Sequence, residues 1–205
     1  MIKKLFQSKS VENKKNKTIV VVSGLPRSGT SMMMKMLVEG GLHVVTDSIR
    51  YADEDNPNGY FELELVKEIP QGNLQWLAGA DGKVVKIISQ LLEYLPSTYR
   101  YKIIFMDREI KEVLASQQKM LTRRNEENRM EDAEMEKRFQ EHLQAIKYWL
   151  ARQPNMEVLY VNYKLMVASP RDYCESIAEF IGIPLNVQKM SEVPSEKLYR
   201  NRAPA

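Results

Sequence analysis

A run rich in β-branched residues at positions 18–23 (TIVVVS) constrains the fold of this chain more than any other feature. A run that stays apolar without alternating is typical of a strand buried on both faces, as in a parallel sheet covered by helices. Similar runs recur at 83–88, 102–107 and 157–162, with a short one near 43–45. These segments predict a mainly parallel central sheet.

Stretches with the spacing of helices lie between the predicted strands. They fall at 30–39, 62–77, 110–121, 126–152 and 172–181. Strands that alternate with helices are typical of layered α/β folds, because each connection between parallel strands needs a crossover that returns the chain. We therefore expect a three-layer α/β fold, with helices flanking the central sheet.

Two segments concentrate the charge of the chain. Residues 1–17 hold six lysines and one glutamate, which predicts a basic flexible tail ahead of a single domain at 18–205. Residues 123–142 hold twelve charged side chains of both signs, which predicts a charged helical insert. This insert is either a solvated helix surface or a mobile cap over a substrate cleft. The rest of the chain has no basic surplus that would extend the tail into a nucleic-acid surface, so no nucleic-acid partner is expected.

The single cysteine, Cys174, leaves no intramolecular disulfide possible, and this favours a reducing compartment. No apolar stretch reaches the ~20 residues that cross a bilayer. The N-terminal residues also lack the apolar core of a signal peptide. We expect a cytoplasmic protein without a membrane span, and the sequence leaves its oligomeric state open.

Residues 24–31 (GLPRSGTS) join the first predicted strand directly to the first predicted helix. Backbone N–H groups at a helix start point toward an anion placed there, and the helix dipole adds roughly half a positive charge. Gly24 and Gly29 permit a tight loop and a close approach of the anion. Arg27 adds a permanent positive charge, and two hydroxyl groups follow it. The segment therefore predicts a phosphate-binding loop.

The loop departs at one position from the triphosphate-binding motif G-x-x-x-x-G-K-[ST], since Thr30 stands where that motif has lysine. Threonine cannot neutralise the β- and γ-phosphates of a triphosphate. The loop therefore favours a ligand with less negative charge. A P-loop kinase or nucleotide hydrolase stays as an alternative, because the run at 102–107 ends in Asp107, as does the strand that holds Mg²⁺ in such enzymes.

The loop sequence resembles the 5′-phosphosulfate-binding loop of sulfotransferases that use 3′-phosphoadenosine 5′-phosphosulfate (PAPS), whose motif is P-[KR]-S-G-T-[TS]. The resemblance is to a small, bacterial-type member of this family. It implies an enzyme that moves a sulfonate group from PAPS to a hydroxyl or amine acceptor and releases 3′-phosphoadenosine 5′-phosphate (PAP), with no metal. The loop residues that it assigns to the donor are Gly24, Pro26, Arg27, Ser28, Gly29, Thr30 and Ser31.

Further matches extend the resemblance over most of the chain. Arg108 and Ser116, eight residues apart, are similar to the motif that binds the 3′-phosphate of the donor. Lys86 matches the active-site lysine of the family, and Tyr163 matches a tyrosine that contacts adenine. The C-terminal basic residues that the resemblance places over the donor are Arg200 and Arg202.

The chain departs from the family pattern at the residue that would take the proton from the acceptor substrate. Many cytosolic sulfotransferases carry a histidine two residues after the active-site lysine, and this position is Ile88 here. A carboxylate would then take the proton, with Asp47 as the first candidate and Glu62 as the second. Arg27 and Lys86 would supply the positive charge that in-line transfer of sulfonate requires. The weaker acidic candidates in the same loop are Asp53 and Asp55.

The missing histidine also leaves open a non-catalytic nucleotide-binding protein of the same fold. The two histidines, His43 and His142, lie far apart in the sequence, and no Cys–His spacing indicates zinc. The acceptor stays unknown at this stage, because loops that line the cleft determine acceptor choice and the fold does not.

Overall fold

The computed structural model describes residues 18–47, 49, 53, 56, 59–126 and 130–195. Within these residues the strands are β1 (Thr18–Gly24), β2 (Val84–Lys86), β3 (Arg100–Asp107) and β4 (Met156–Asn162). The α-helices are α1 (Thr30–Glu39), α2 (Ile110–Arg123), α3 (Asp132–Leu150), α4 (Tyr163–Ala168), α5 (Pro170–Ile181) and α6 (Val187–Ser191). The 3₁₀ helices are Glu64–Gln71, Gln75–Gly79 and Ser89–Tyr94. The predicted tail at 1–17 and the two predicted donor contacts Arg200 and Arg202 lie outside the described residues.

The four strands form one sheet in the order β2–β1–β3–β4, and every pairing between them is parallel. Val21 in the centre of β1 lies opposite Val85 of β2 and Ile103 of β3. The short strand predicted near 43–45 forms a single parallel bridge, from Val44 to the first residue of β2. The prediction of a mainly parallel sheet is confirmed.

Both faces of the sheet are covered, because successive side chains of a strand point to opposite faces. Val20 and Val22 pack into one apolar cluster with the methionines of α1 and the buried side of α5. Ile19 and Val21 pack into a second cluster with residues of the 3₁₀ helices and with Ile146 of α3. Helices therefore form a layer on each side of the sheet, and the predicted three-layer α/β fold is confirmed.

The segment 62–77, predicted as one helix, forms two 3₁₀ helices instead. Pro70 has no N–H group to donate, and Gly72 takes a left-handed φ of 85°. Neither residue suits the interior of an α-helix, so the segment is divided into two short 3₁₀ helices.

The predicted helical stretch at 126–152 contains α3, which begins at Asp132 and whose two halves differ. Surface ion pairs such as Arg138–Glu134, at 2.7 Å, belong to its N-terminal half. Ile146 and Leu150 are buried in its C-terminal half and pack toward the sheet. The C-terminal half of α3 is therefore part of the covering layer.

Among the helices that the structure describes, none is both long enough and apolar enough to cross a bilayer.

Two neighbouring residues of β3 test whether both faces of the sheet are buried. Ile103 belongs to one apolar cluster and Ile104 to the other, and both are fully buried. We expect Ile103→Ala and Ile104→Ala each to lower the free energy of unfolding by about 2–5 kcal/mol, measured by urea denaturation. The exposed Leu165 provides the control, because Leu165→Ala should cost about 0.5 kcal/mol or less. A loss at only one of the two isoleucines would contradict the covered sheet.

Candidate active site

The predicted phosphate-binding loop lies at the C-terminal end of β1, at the start of α1. Arg27 takes a left-handed φ of 70° and Gly29 a φ of 103°, so two reversals of the backbone bend the loop into the helix. The N–H group of Ser28 donates to the carbonyl oxygen of Leu25 at 3.1 Å, which closes a tight turn. Together these features place the first turn of α1 beneath a concave loop.

Four consecutive backbone amides of this loop are open. Among the described residues, no acceptor receives a hydrogen bond from the N–H groups of Gly29, Thr30, Ser31 or Met32, and no side chain caps the helix. Unpaired amides at a helix start, reinforced by the helix dipole, bind anions. The four N–H groups are therefore suited to donate hydrogen bonds to the oxygen atoms of a phosphate or sulfate group.

Gly24 and Ser28 fix the inner wall of the loop. A Cβ atom on Gly24 would lie 2.6 Å from Ser28 Oγ and 2.7 Å from the carbonyl oxygen of Met106, so only glycine fits there. Ser28 is 1% exposed, and its Oγ has no hydrogen-bond partner among the described residues. A buried hydroxyl left without a partner is costly, and an anion in the loop is a natural acceptor for it.

Tyr163 packs directly beneath Gly29. A Cβ atom on Gly29 would lie 2.5 Å from the tyrosine ring. Tyr163 is 5% exposed, and its burial raises the pKa of the hydroxyl group above the ordinary value. The guanidinium of Arg108 lies over the other part of the ring, 4.3 Å from its centroid. The residue matched to an adenine contact therefore also supports the phosphate loop.

Arg27, Arg108 and Ser116 come together in the structure. Arg27 donates from Nε to Ser116 Oγ at 3.0 Å, and Arg108 donates from Nη1 to the carbonyl oxygen of Arg27 at 3.1 Å. Arg108 also forms an ion pair of 3.0 Å with Glu112, and the two side chains are 7% and 3% exposed. A buried pair of this kind orients the guanidinium firmly, because breaking it would leave an uncompensated charge.

Lys86 and Glu62 meet on the other side of the loop. Lys86, at the C-terminal end of β2, lies 3.5 Å from a carboxylate oxygen of Glu62. Its ammonium group also donates to the carbonyl oxygen of Tyr60 and, at 3.5 Å, to Ser31 Oγ. The lysine side chain is 10% exposed and the glutamate side chain 32%. A cation and a partly exposed carboxylate therefore stand together next to the phosphate loop.

Asp47 has a different environment. Its carboxylate accepts hydrogen bonds from the backbone N–H groups of Glu64, at 2.6 Å, and Ile49, at 3.0 Å. These two bonds hold the pKa of Asp47 below its usual value. Through the bond from Glu64, Asp47 connects the first 3₁₀ helix to the segment that follows Val44. Both hydrogen bonds stabilise the ionised carboxylate, which makes Asp47 a poorer proton acceptor than an ordinary aspartate.

The two weaker acidic candidates from the sequence are Asp53 and Asp55. Asp53 accepts hydrogen bonds from the hydroxyl group of Tyr60 at 2.8 and 2.7 Å, so its carboxylate is also occupied. Asp55 lies outside the described residues. Among the acidic candidates that the structure describes, the contact with Lys86 belongs to Glu62.

Two contacts of the site were not predicted. Glu112, four residues after Arg108, is the partner that buries the arginine, and its i,i+4 spacing on a helix is a signal that could have indicated it. Asn56 donates from Nδ2 to Ser31 Oγ at 2.7 Å. No periodicity links a loop residue to a helix twenty-five positions earlier, so this contact is visible only in three dimensions.

His142 and Asp107 have partners outside the loop. His142 Nε2 lies 2.8 Å from Oγ of the buried Ser89, and burial lowers the pKa of the imidazole. Asp107 forms an ion pair of 2.7 Å with Lys147 of α3. Within the described parts of the chain, no group of three or more His, Cys, Asp or Glu side chains could hold a metal ion.

Gly29 can be tested against a glycine with similar backbone geometry. Gly29 and Gly41 have φ values of 103° and 98°, but a Cβ atom on Gly41 would meet no atom within 4 Å. We expect Gly41→Ala to cost about 1–2 kcal/mol of unfolding free energy through backbone strain alone. Gly29→Ala should cost clearly more, because its methyl group must also displace Tyr163. Equal losses in urea denaturation would contradict the packing of Tyr163 beneath the loop.

The chain is similar to known proteins in both sequence and fold. Residues 17–199 match the family described as sulfotransferase domain. No curated protein sequence matches the chain. The solved sulfotransferase domain of the Synechococcus PCC 7002 olefin synthase is 14% identical, with a TM-score of 0.52 over 93% of this chain and 85% of that one. Mouse sulfotransferase SULT7A1, solved in complex with PAP, is 16% identical, with a TM-score of 0.55 over 91% of this chain and 66% of that one.

A third solved structure, the sulfotransferase domain from the curacin biosynthetic pathway, is 14% identical, with a TM-score of 0.50 over 85% of this chain and 76% of that one. At these identities the solved structures show a shared fold. The family match spans most of the sequence, and the chain therefore belongs to the sulfotransferase domain family.

Proposed function

We propose that this protein transfers a sulfonate group from PAPS to a hydroxyl or amine acceptor by in-line displacement, with Glu62 as the proton acceptor. The observation that carries the proposal is the open row of amides at Gly29–Met32, which stands between Arg27 on one side and the Lys86–Glu62 pair on the other. The family membership supports sulfonate transfer in general. The solved complex of mouse SULT7A1 with PAP supports a donor of the PAPS type.

The loop residues suit the 5′-phosphosulfate end of such a donor. The four open amides and the unpartnered Oγ of Ser28 offer donors to phosphate oxygens. Thr30 in place of a lysine leaves less positive charge than a triphosphate requires. PAPS, when bound, would supply the sulfonate group and a phosphate as the leaving group. The protein would supply the pocket and the charge around that reaction centre.

Arg27 and Lys86 would stabilise the charge that develops during transfer. Lys86 is 10% exposed and stands beside the first turn of α1, where its ammonium can reach an oxygen of the transferred group. A cation in a site that excludes water acts more strongly than one in solution. Arg27 adds a second cation at the loop.

Glu62 would accept the proton of the acceptor. Its carboxylate is 32% exposed and lies 3.5 Å from the ammonium of Lys86, so an acceptor could approach both groups at once. Asp47, the first candidate from the sequence, is the weaker proposal because two backbone amides occupy its carboxylate.

The other end of the donor would lie toward Arg108 and Ser116, with Tyr163 near the adenine. Arg27 connects this pair to the phosphate loop, so a single network of hydrogen bonds spans both predicted phosphate positions. Arg200 and Arg202 are proposed as further contacts on the resemblance alone.

Two alternatives have less support. A P-loop kinase or hydrolase would need Asp107 for Mg²⁺, and the carboxylate of Asp107 is paired with Lys147. A non-catalytic nucleotide-binding protein would need no carboxylate beside Lys86, whereas Glu62 stands there.

A pair of isosteric substitutions separates the two candidate bases. We expect Glu62→Gln to lower the release of PAP from PAPS by about 10²–10⁴-fold, because the proton acceptor is lost. Asp47→Asn should leave this rate within about threefold of the unmodified protein, apart from a modest loss of stability. The rate is measured with water as acceptor and with a panel of phenols, alcohols and amines.

Binding of PAP, followed by calorimetry, provides the control for this experiment. Glu62→Gln should bind PAP as the unmodified protein does, because the substitution leaves the phosphate loop intact. A large loss of rate in Asp47→Asn with none in Glu62→Gln would reverse the assignment of the base. Tight binding of Mg²⁺–ATP with no binding of PAP would replace the sulfotransferase proposal with the kinase.

A further inference from the structure

Ser31, in the first turn of α1, receives hydrogen bonds from two different parts of the chain. Asn56 donates from Nδ2 to Ser31 Oγ at 2.7 Å, and Lys86 donates to the same atom from Nζ at a longer 3.5 Å. A hydroxyl oxygen has two lone pairs and one proton. Asn56 therefore occupies one lone pair of Ser31 Oγ, and Lys86 lies at the outer limit of hydrogen-bond distance from the same atom.

The hydroxyl proton of Ser31 is consequently left for a third group. No described residue accepts a hydrogen bond from it. The backbone N–H group of the same residue is one of the four open amides of the phosphate loop. An anion in the loop would be a suitable acceptor for this proton, and the hydrogen bond from Asn56 would orient the hydroxyl toward it.

Asn56 is itself held in place by Asp53 and Tyr60. The backbone N–H group of Asn56 donates to a carboxylate oxygen of Asp53 at 2.9 Å, and the hydroxyl group of the buried Tyr60 donates to the same carboxylate. The carbonyl oxygen of Tyr60 accepts a hydrogen bond from Lys86. The backbone of Asn56 is therefore held by Asp53, and Asp53 is held in turn by Tyr60.

We propose that Asn56 is a positioning residue of the donor site, which orients the Ser31 hydroxyl as a donor to the 5′-phosphate. This inference rests on the proposed function, because it takes the 5′-phosphate of PAPS or PAP as the anion in the loop. It gives a role to Asn56 and to its supports Asp53 and Tyr60. Asn56 acts through Ser31 and does not itself touch the donor.

The test compares Asn56→Asp with Asn56→Ala in calorimetric titrations with PAP. Aspartate keeps the size of the side chain but cannot donate, so it would accept the Ser31 proton and add a negative charge near the anion. We expect Asn56→Asp to weaken PAP binding by more than about tenfold, and Asn56→Ala by about three- to tenfold. Asn186→Asp is the matched control, since Asn186 lies at the other end of α1, where its N–H group donates to Gly40, and PAP binding should not change.

Two further measurements separate positioning from a general structural effect. Adenosine 3′-phosphate lacks the 5′-phosphate, so its affinity should be the same for Asn56→Asp and for the unmodified protein. In a Ser31→Ala background, Asn56→Ala should cause no additional loss of PAP affinity, because the two residues act through one hydroxyl group.

The outcomes are distinguishable. Unchanged PAP binding in Asn56→Asp, or equal losses for PAP and adenosine 3′-phosphate, would overturn the role of Asn56 while leaving the proposed function intact. Full additivity of the Ser31 and Asn56 substitutions would overturn it as well. Absence of PAP binding in the unmodified protein would overturn both the inference and the proposed function.

Discussion

The structure depends most on the junction where β1 ends and α1 begins. The strand is buried on both faces in the sheet, so its end is fixed, and Gly24 and Gly29 allow the backbone to reverse into the helix within a few residues. Tyr163, which follows the edge strand β4, packs under Gly29. The four amides of the first helical turn are therefore open and also held rigidly, and a rigid array of donors binds an anion with little cost of reorganisation.

Two groups of charged residues flank this junction, and each is neutralised within the protein. Arg108 is paired with Glu112 in the interior, and Lys86 is paired with Glu62 nearer the surface. The first pair is almost fully buried and orients its arginine, whereas the carboxylate of the second is a third exposed and accessible to a small molecule. The difference in exposure is why we assign orientation to the first pair and proton transfer to the second.

The sequence predicts the fold well because the strands and the junction after β1 have local signals. Apolar runs without alternation indicate the buried strands, and the two glycines with Arg27 between them indicate the anion site. The choice between Asp47 and Glu62 as candidate bases could not be made from the sequence, because no local signal shows which carboxylate lies near Lys86, whereas the fold places Glu62 in an ion pair with it. The segment 62–77 shows a similar limit, since its apolar spacing favours a helix but Pro70 and Gly72 divide it.

The most direct test of the account is a titration of isotope-labelled protein with PAP, followed by two-dimensional ¹H–¹⁵N NMR. The account predicts that the amide resonances of Gly29, Thr30, Ser31 and Met32 shift most, because their N–H groups take the 5′-phosphate as acceptor. Small shifts at these four amides, with the largest changes elsewhere in the chain, would contradict the claim that this loop is the donor site.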